Sequence, residues 1–281
     1  MKKLTRISNE LKEWIIKTLH SGVQPELLVD ALIKKGFDPK FSYTLLFQLI
    51  RNQSIDKHDQ EESLPYLYEI PALGKKGNII HTSDRDIKVT MRIETPFILF
   101  LDNFLSIQEC DELIALSTKR LKRSQVINSA TGERIIASGR TSEGTEYAIG
   151  ENLLIQKIEK RIQEVTDFPV DHGESLQVLH YNQGEEYKSH YDFFPDNKID
   201  PTIGVQRVCT LLMYLNDVHE GGETIFPKID LKVSPKKGAA LYFHYGNEKG
   251  QTDRLSLHSS VPVLTGEKWV ATKWIRQGRI Y

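Results

Sequence analysis

From Leu176 to the C-terminus, the chain consists of short apolar segments separated by glycine and proline residues. The breaks lie at Gly184, Pro195, Pro201, Gly221, Gly222, Pro227, Gly238 and Gly266. Glycine supplies the backbone freedom that a turn needs, and proline does not continue a central strand, so each break ends one predicted strand. Many short strands with turn residues between them are typical of antiparallel sandwiches and barrels. This half of the chain therefore predicts a double-stranded β-helix, which is a jelly-roll variant.

Two segments that precede this region are predicted to be helices flanking the sheet. Ser106 stands before acidic residues in the first turn of the first segment, which runs through Leu116, and it is the predicted N-cap. The second segment runs from Asn152 to about Val165 and carries apolar residues on one side. Shorter apolar runs between residues 81 and 101 predict early strands. We therefore expect an α+β fold in which each helix covers a face of the sheet.

The N-terminal part of the chain differs in character from the rest. Residues 1–52 predict a small domain of three short helices, with apolar residues at helical spacing before and after Pro25 and a third helix that starts after Asp38. The apolar positions of that third helix are Tyr43, Leu46, Phe47 and Ile50. Residues 53–80 begin with a polar, acidic run and are predicted to be a linker. The larger domain is then expected to span residues 81–281.

Charge and composition exclude several classes of protein. The formal net charge of −1 over 281 residues offers no electrostatic footprint for nucleic acid. No apolar stretch approaches the roughly 18 residues that span a bilayer, and the N-terminus lacks the apolar region of a signal peptide. Cys110 and Cys209 are too few and too far apart for a disulfide framework, so both are expected to be buried small hydrophobes. We expect a cytoplasmic protein without nucleic-acid or membrane partners.

The triplet His190-Tyr191-Asp192 is the first candidate for chemistry. Successive side chains of a strand point to opposite faces, so His190 and Asp192 share a face while Tyr191 points away. His258, from a distant strand, would complete a set of two imidazoles and one carboxylate. Such a set holds a metal on one side and leaves other positions open, as in the facial triad of non-haem Fe(II) oxygenases.

A lysine near the C-terminus is the second candidate. Period-two alternation places Lys268 on one face of the last strand, with Val270, Thr272 and Trp274, and Lys273 on the other face. One of the two lysines must then point into the barrel. A buried ammonium is costly unless an anion meets it, so the sequence predicts that a carboxylate ligand binds there.

Three stretches of the chain resemble one enzyme family. They are residues 176–192, the run RVCTLLMYLNDVHEGGETIFP from Arg207 to Pro227, and the run LSLHSSVPVLTGEKWVATKWIRQG from Leu255 to Gly278. Together they resemble the prolyl 4-hydroxylases, which are Fe(II)- and 2-oxoglutarate-dependent dioxygenases, and are most similar to the short bacterial collagen-type members. The resemblance covers roughly residues 96–281.

The resemblance implies a metal, two co-substrates and a reductant. His190, Asp192 and His258 would hold Fe(II), the keto acid end of 2-oxoglutarate would chelate it, and one position would remain for O2. In the family the lysine that binds the far carboxylate follows the second histidine by ten residues, as Lys268 follows His258. Lys273 is then expected to face solvent. Tyr181 and Thr210 match residues that hydrogen-bond the same carboxylate, and L-ascorbate is the implied reductant.

The resemblance also implies a substrate. Residues 138–144 are similar to a family loop that closes over a peptide, with Arg140 in the position of a substrate-contacting arginine. Glu143 replaces a serine of the family pattern and leaves the peptide preference open. Tyr187 and Trp274 match aromatic positions that form a proline pocket, where a flat apolar wall suits a pyrrolidine ring. The implied reaction is 4-hydroxylation of peptidyl proline, with oxidative decarboxylation of 2-oxoglutarate to succinate and CO2.

Alternatives to this function stay open at the level of sequence. The same chemistry could act on free proline, lysine or another small molecule, or the chain could be a catalytically inactive module that binds proline-rich peptides. Intact Asp192 and Lys268 argue against the inactive module. The N-terminal helices could pack on the enzyme, form a homodimer or recruit the protein substrate, and nothing in their sequence decides among these roles.

Overall fold

The structure, a computed structural model, describes residues 8–20, 23, 25–39, 41–43, 45–46, 49, 66–124, 126–127, 134–135, 139–194 and 205–280. Contacts between residues divide the chain into two units, residues 1–65 and residues 66–281. The second unit begins at residue 66, before the expected residue 81. Its first residues contact later parts of the unit: the Leu67 amide donates to Gln251 Oε1 at 3.1 Å. Of the predicted linker, residues 53–65 lie outside the described residues.

The N-terminal unit contains α1 (Asn9–His20) and α2 (Pro25–Lys34), and residues 39, 41–43, 45–46 and 49 are also helical. Asp38 caps this last segment by accepting a hydrogen bond from the Phe41 amide at 3.0 Å. Phe47 and Ile50, which were assigned to the third helix, lie outside the described residues. The small core of the unit contains Ile15, Leu28, Val29, Leu32, Phe37, Leu46 and Leu49.

The second unit is built on antiparallel strands. In chain order they are β1 (Ile79–His81), β2 (Asp86–Ile93), β3 (Phe97–Asp102), β4 (Lys122–Arg123), β5 (Val126–Ile127), β6 (Arg134–Ile135), β7 (Glu143–Tyr147), β8 (Leu176–Tyr181), β9 (Tyr187–His190), β10 (Arg207–Tyr214), β11 (Glu220–Gly221), β12 (Thr224–Phe226), β13 (Leu231–Val233), β14 (Ala240–His244), β15 (His258–Ser260), β16 (Val263–Thr265) and β17 (Lys268–Arg276). Within the described ranges, a nine-stranded sheet has the order β1-β2-β3-β14-β10-β17-β8-β7-β4, and a four-stranded sheet has the order β13-β12-β15-β9. This is the predicted jelly roll.

Two apolar cores lie on opposite faces of the large sheet. Tyr181, Tyr214, Phe226, Phe243 and Val270 come from strands of both sheets and belong to one core cluster, so this core joins the two layers. The other cluster joins the large sheet to the two predicted helices, α3 (Ile107–Thr118) and α4 (Leu153–Thr166). The central strand β17 therefore has packed residues on both of its faces.

The flanking helices begin where the sequence predicts. Ser106 forms a capping box with Glu109, and the Asn152 side chain accepts a hydrogen bond from the Ile155 amide at 3.0 Å. Cys110 and Cys209 are free and buried, as expected. No helix in the described part of the chain is long and apolar enough to cross a bilayer.

A buried ion-pair network connects the two helices. The guanidinium of Arg161 on α4 donates to Glu109 Oε1 at 2.7 Å and to Glu109 Oε2 at 3.0 Å, and it also pairs with Asp84. Burial alone would raise the pKa of Glu109, but hydrogen bonds from Arg161, the Ser106 amide and Lys157 lower it to about 2. Arg161 thus holds a charged carboxylate at the start of α3.

This network predicts a pH dependence of stability. The folded pKa of Glu109 lies below its ordinary value, so its contribution is present above that ordinary value, near 4.5, and is lost as the pH falls toward 2. We expect Glu109→Gln to flatten the acid side of the curve of unfolding free energy against pH. Arg161→Ala should also lower the free energy of unfolding at pH 7, but by less than about 3–5 kcal/mol, the cost of a wholly unpaired buried charge, because Lys157 and Arg85 still pair with Glu109. Urea unfolding between pH 3 and pH 7 measures both; an unchanged acid limb in Glu109→Gln would contradict the assignment.

Candidate metal centre and its cleft

Two imidazoles and one carboxylate meet where the small sheet faces the large one. Strands β9 and β15 pair with His190 opposite His258, and Asp192 follows β9 by two residues. Their candidate ligand atoms all lie within 4.8 Å of one another. The Nε2 atoms of His190 and His258 lie 3.5 and 3.6 Å from the Asp192 carboxylate oxygens Oδ1 and Oδ2, respectively. The structure thus brings together the three side chains that the sequence singled out.

Both histidines are held in the tautomer that a metal requires. His190 Nδ1 lies 2.8 Å from the Lys188 carbonyl oxygen, and His258 Nδ1 lies 2.9 Å from the Ser256 carbonyl oxygen. A carbonyl only accepts, so each Nδ1 carries a proton and Nε2 is the nitrogen that would bind a metal. Burial lowers the pKa of His258 to about 4, which keeps its ring neutral at pH 7. The donor set therefore fits a divalent metal.

The carboxylate of Asp192 is buried and ionised. Burial alone would raise its pKa, but His258, His190 and Arg207 hold the pKa of Asp192 well below its usual range. Thr210 Oγ1 donates to Asp192 Oδ2 at 2.6 Å, and Arg207 donates to the Asp192 main-chain carbonyl at 3.1 Å. Both the side chain and the backbone of this residue are thereby fixed.

A cleft of about 450 Å³, including its part open to solvent, leads to these three side chains. All nine residues that the sequence assigned to metal, co-substrate and substrate line it: Arg140, Tyr181, Tyr187, His190, Asp192, Thr210, His258, Lys268 and Trp274. The apolar residues of its wall include Leu179, Leu212, Phe243 and Val270. Such a mixed lining is typical of a ligand site.

Lys268 is the buried cation of this cleft. It is 1% exposed, it lies opposite Tyr181 in the β8–β17 pair, and its Nζ donates to Ser260 Oγ at 2.7 Å. Burial lowers the pKa of Lys268 to about 7, with Glu223 opposing that shift. In the described part of the chain, no ion pair is recorded for this ammonium. A carboxylate ligand would supply the missing charge partner, so the residues present fit 2-oxoglutarate.

Lys273 does not face solvent, so that expectation is wrong. The side chain is 2% exposed, and its Nζ donates to Glu159 Oε1 on α4 at 2.7 Å. Alternation along β17 is as predicted, but α4 covers the outer face of the strand. The lysine on that face is consequently buried as well, and a helix carboxylate neutralises it.

Thr210 lies at the metal end of the cleft instead of beside Lys268. It pairs with Trp274, six residues along β17 from Lys268, which is roughly 20 Å of strand. Thr224 on β12 lies nearer to the lysine: it pairs with Ser260, and its hydroxyl accepts from Tyr214 at 2.9 Å. No sequence pattern indicated Thr224, which lies just after the strand break predicted at Gly221 and Gly222.

The three candidate substrate residues lie beside the metal ligands. Tyr187 stacks on His190 with ring centroids 3.6 Å apart, and the Arg140 guanidinium lies 4.8 Å from the Tyr187 ring. Arg140 also donates to Gln177 Oε1 at 2.8 Å. Trp274 lines the same cleft. Ser138, at the start of the predicted substrate loop, lies outside the described residues, and Glu143 begins β7.

Arg207 and Glu174 were not predicted, yet they support both the metal and the substrate side. Glu174 accepts two hydrogen bonds of 2.6 Å from Arg207 and one of 2.6 Å from Arg276. The Arg207 guanidinium lies 4.2 Å from the Trp274 ring, besides its bond to the Asp192 carbonyl. The sequence signal that could have indicated Arg207 is its position as a charged residue at the start of the mostly apolar strand β10.

Comparisons with known proteins agree with this site. A sequence profile of the 2OG-Fe(II) oxygenase superfamily matches residues 176–276. Probable prolyl 4-hydroxylase 3 of Arabidopsis thaliana is 43% identical over 195 residues, which cover 63% of this chain and 68% of the relative. The chain belongs to the prolyl 4-hydroxylase family. Prolyl 4-hydroxylase 5 of the same plant is 41% identical over 191 residues, covering 61% of this chain and 65% of the relative.

A solved structure shows the same fold. The viral collagen prolyl hydroxylase of Paramecium bursaria Chlorella virus-1, in its 2OG complex, is 33% identical with a TM-score of 0.52, covering 64% of this chain and 95% of the viral one. This prolyl 4-hydroxylase family member is accordingly an Fe(II)- and 2-oxoglutarate-dependent dioxygenase, with O2 as its other co-substrate.

Proposed function

We propose that the protein hydroxylates proline at the 4-position within flexible, proline-rich peptides. The observation that carries this proposal is the aromatic wall at the metal centre, where Tyr187 stacks on the candidate ligand His190 at 3.6 Å. A flat apolar ring beside the metal suits a pyrrolidine ring, and Trp274 lines the same cleft. The curated relatives are named prolyl 4-hydroxylases, which supports the same reaction.

The proposed roles follow from the contacts. His190, Asp192 and His258 would hold the iron, and Lys268 with Tyr181 would bind the far carboxylate of 2-oxoglutarate. When bound, Fe(II) and 2-oxoglutarate activate O2, so that one oxygen atom enters the substrate C–H bond and the other leaves in succinate, together with CO2. The protein aims the C–H bond and excludes water from the cleft.

A peptide substrate is favoured over a small molecule. Proline-rich segments are already extended in the polyproline II conformation and expose their rings, so little ordering is needed on binding. Arg140 lines the cleft and lies over the Tyr187 ring, where its guanidinium can contact a peptide backbone. An inactive binding module would have no use for Lys268, which is buried inside the cleft.

We also propose ascorbate as the reductant that restores iron oxidised in uncoupled turnovers, because the family resemblance implies it. The cytoplasm is the proposed compartment, which is consistent with two free, buried cysteines. The small net charge of −1 supports the absence of a nucleic-acid partner. A homodimer formed through the N-terminal helices stays a prediction.

The Arg140→Ala variant tests the peptide assignment. Loss of a hydrogen bond from a charged guanidinium to the peptide costs about 1.5–3 kcal/mol, so we expect the peptide KM to rise, or peptide turnover to fall, by roughly 10- to 150-fold. The KM for 2-oxoglutarate should stay nearly unchanged. Arg120→Ala is the matched control, because Arg120 is exposed and pairs with Glu151. A changed 2-oxoglutarate KM with normal peptide kinetics would contradict the assignment.

A substrate panel tests the proposed function as a whole. The protein is incubated with Fe(II), ascorbate and 2-oxoglutarate, together with Pro-Pro-Gly repeats, free proline or free lysine, and each product is examined by mass spectrometry. We expect a gain of one oxygen in the peptide. Hydroxylation of free proline alone, with the peptide unmodified, would contradict the peptide assignment. The predicted substrate loop, residues 138–144, would then cover a small molecule.

A further inference from the structure

Two buried hydroxyls stand behind the candidate metal ligand Asp192. Thr210 on β10 donates from Oγ1 to Asp192 Oδ2 at 2.6 Å, and the Tyr245 hydroxyl lies 3.0 Å from the same Thr210 Oγ1. Thr210 is 1% exposed and Tyr245 is fully buried. The pairing of β10 with β14, which ends one residue before Tyr245, brings the two hydroxyls together. They therefore form a chain that ends on one carboxylate oxygen.

The direction of this chain follows from the number of protons. An ionised carboxylate only accepts hydrogen bonds, so Thr210 must donate to Asp192. A threonine hydroxyl has one proton, which this bond uses. The Tyr245 hydroxyl must then donate to Thr210 Oγ1, and each hydrogen bond strengthens the other in a buried, low-dielectric setting.

The two oxygens of Asp192 are consequently unequal. Oδ2 accepts a short charge-assisted hydrogen bond from Thr210. In the described ranges, the recorded hydrogen bonds to this side chain do not include a hydroxyl or amide donor to Oδ1, which lies 3.5 Å from His190 Nε2. Oδ2 also lies near a ligand nitrogen, His258 Nε2 at 3.6 Å, so the two oxygens differ in the hydrogen bond from Thr210 and not in their distance from the ligand nitrogens.

We infer that Thr210 and Tyr245 are positioning residues that hold Asp192 so that it offers a single oxygen, Oδ1, to the metal. The inference rests on the proposed function, since it assigns a role within the same metal centre. It has a chemical consequence: three protein ligand atoms leave positions open for the keto acid and for O2, and a second oxygen from Asp192 would occupy one of them.

A rival role for Thr210 is direct hydrogen bonding to 2-oxoglutarate. That role requires a hydroxyl proton that is free to point at the ligand. In this structure the proton is committed to Asp192 at 2.6 Å, and Tyr245 occupies a lone pair of the same oxygen at 3.0 Å. The observed contacts therefore favour the metal ligand over the co-substrate.

Binding of Co(II) to the metal-free protein tests the inference without turnover. We expect Thr210→Val to weaken Co(II) binding by roughly 10- to 100-fold, the usual effect of losing a group that orients a metal ligand. The visible absorption of the bound Co(II), which reports its coordination, should change as well. Thr210→Ser keeps the hydroxyl and should bind Co(II) within a few-fold of the wild type.

Tyr245→Phe should weaken Co(II) binding by less than Thr210→Val, and it should add nothing in the Thr210→Val background, because Tyr245 acts only through Thr210. Tyr242→Phe is the matched control: Tyr242 is also fully buried, but its hydroxyl bonds to His244 at 2.8 Å. Thermal unfolding in a chelator verifies that each variant is folded, and Tyr245→Phe decides the outcome if Thr210→Val does not fold.

Unchanged Co(II) affinity in Thr210→Val would overturn the inference. If Thr210→Val does not fold, unchanged Co(II) affinity in Tyr245→Phe would overturn it. So would a raised 2-oxoglutarate KM in Thr210→Val with normal metal affinity, which would return Thr210 to the co-substrate. A wild-type protein that decarboxylates no 2-oxoglutarate yet shows the expected order of Co(II) affinities would instead contradict the proposed function and leave the positioning role supported.

Discussion

The Asp192→Ala variant is expected to lose 2-oxoglutarate decarboxylation and peptide hydroxylation while remaining folded. Removing one of three ligands should exceed the roughly 10- to 100-fold effect of losing a group that only orients a ligand, so we expect a loss on the order of a thousandfold or more. The assay is release of CO2 from 2-oxoglutarate at saturating Fe(II) and peptide. In addition, the increase in melting temperature that a divalent metal gives the wild type should disappear.

Two further variants make this experiment specific. Asp192→Asn keeps the size of the side chain and an oxygen acceptor but removes the charge, and it should lose activity as well. Asp111→Asn is the control, because Asp111 lies on the surface and pairs with Lys237. Near-normal hydroxylation by Asp192→Ala would show that the carboxylate ligand has been assigned to the wrong residue.

The Lys268→Ala variant is expected to bind iron but to need far more 2-oxoglutarate. Truncating one side of a buried charge pair costs about 2–5 kcal/mol, which corresponds to a rise in KM of about thirtyfold to several thousandfold. The reason is that the far carboxylate of the co-substrate would be buried without its ammonium. Initial rates at increasing 2-oxoglutarate concentration, with Fe(II) saturating, measure this change.

Lys273 provides a matched control on the same strand. It is as buried as Lys268, at 2% against 1% exposed, but it lies on the opposite face and pairs with Glu159. Lys273→Ala should therefore lower the free energy of unfolding, by about 3–5 kcal/mol, and leave the 2-oxoglutarate KM unchanged. A normal KM in Lys268→Ala would show that Lys268 does not bind the co-substrate and would move that role to Arg276.

The strand pattern and the order of the metal ligands could be predicted from sequence because both depend on local rules. Alternation along β17 gives the correct faces for Lys268 and Lys273, and period two puts His190 and Asp192 together. Alternation does not tell which face of a sheet is covered, however. The outer face of β17 is packed against α4, and for that reason the prediction for Lys273 was wrong.

The surroundings of Asp192 could not be predicted, because they depend on which strands pair and in what register. Thr210 contacts Asp192 only because β10 lies between β14 and β17 in the large sheet. The carbonyls that fix both histidine tautomers depend equally on the local backbone. Glu174 contacts Arg207 from 33 residues away, a distance along the chain at which no sequence pattern links two residues.

The most direct test of the account is hydroxylation of a Pro-Pro-Gly peptide under labelled dioxygen, with succinate measured in the same reaction. The account predicts one labelled oxygen per modified proline, located at carbon 4 of the ring, together with one equivalent of succinate, and no product without Fe(II) or 2-oxoglutarate. Unmodified peptide, with label found only in free proline or another small molecule, would contradict it.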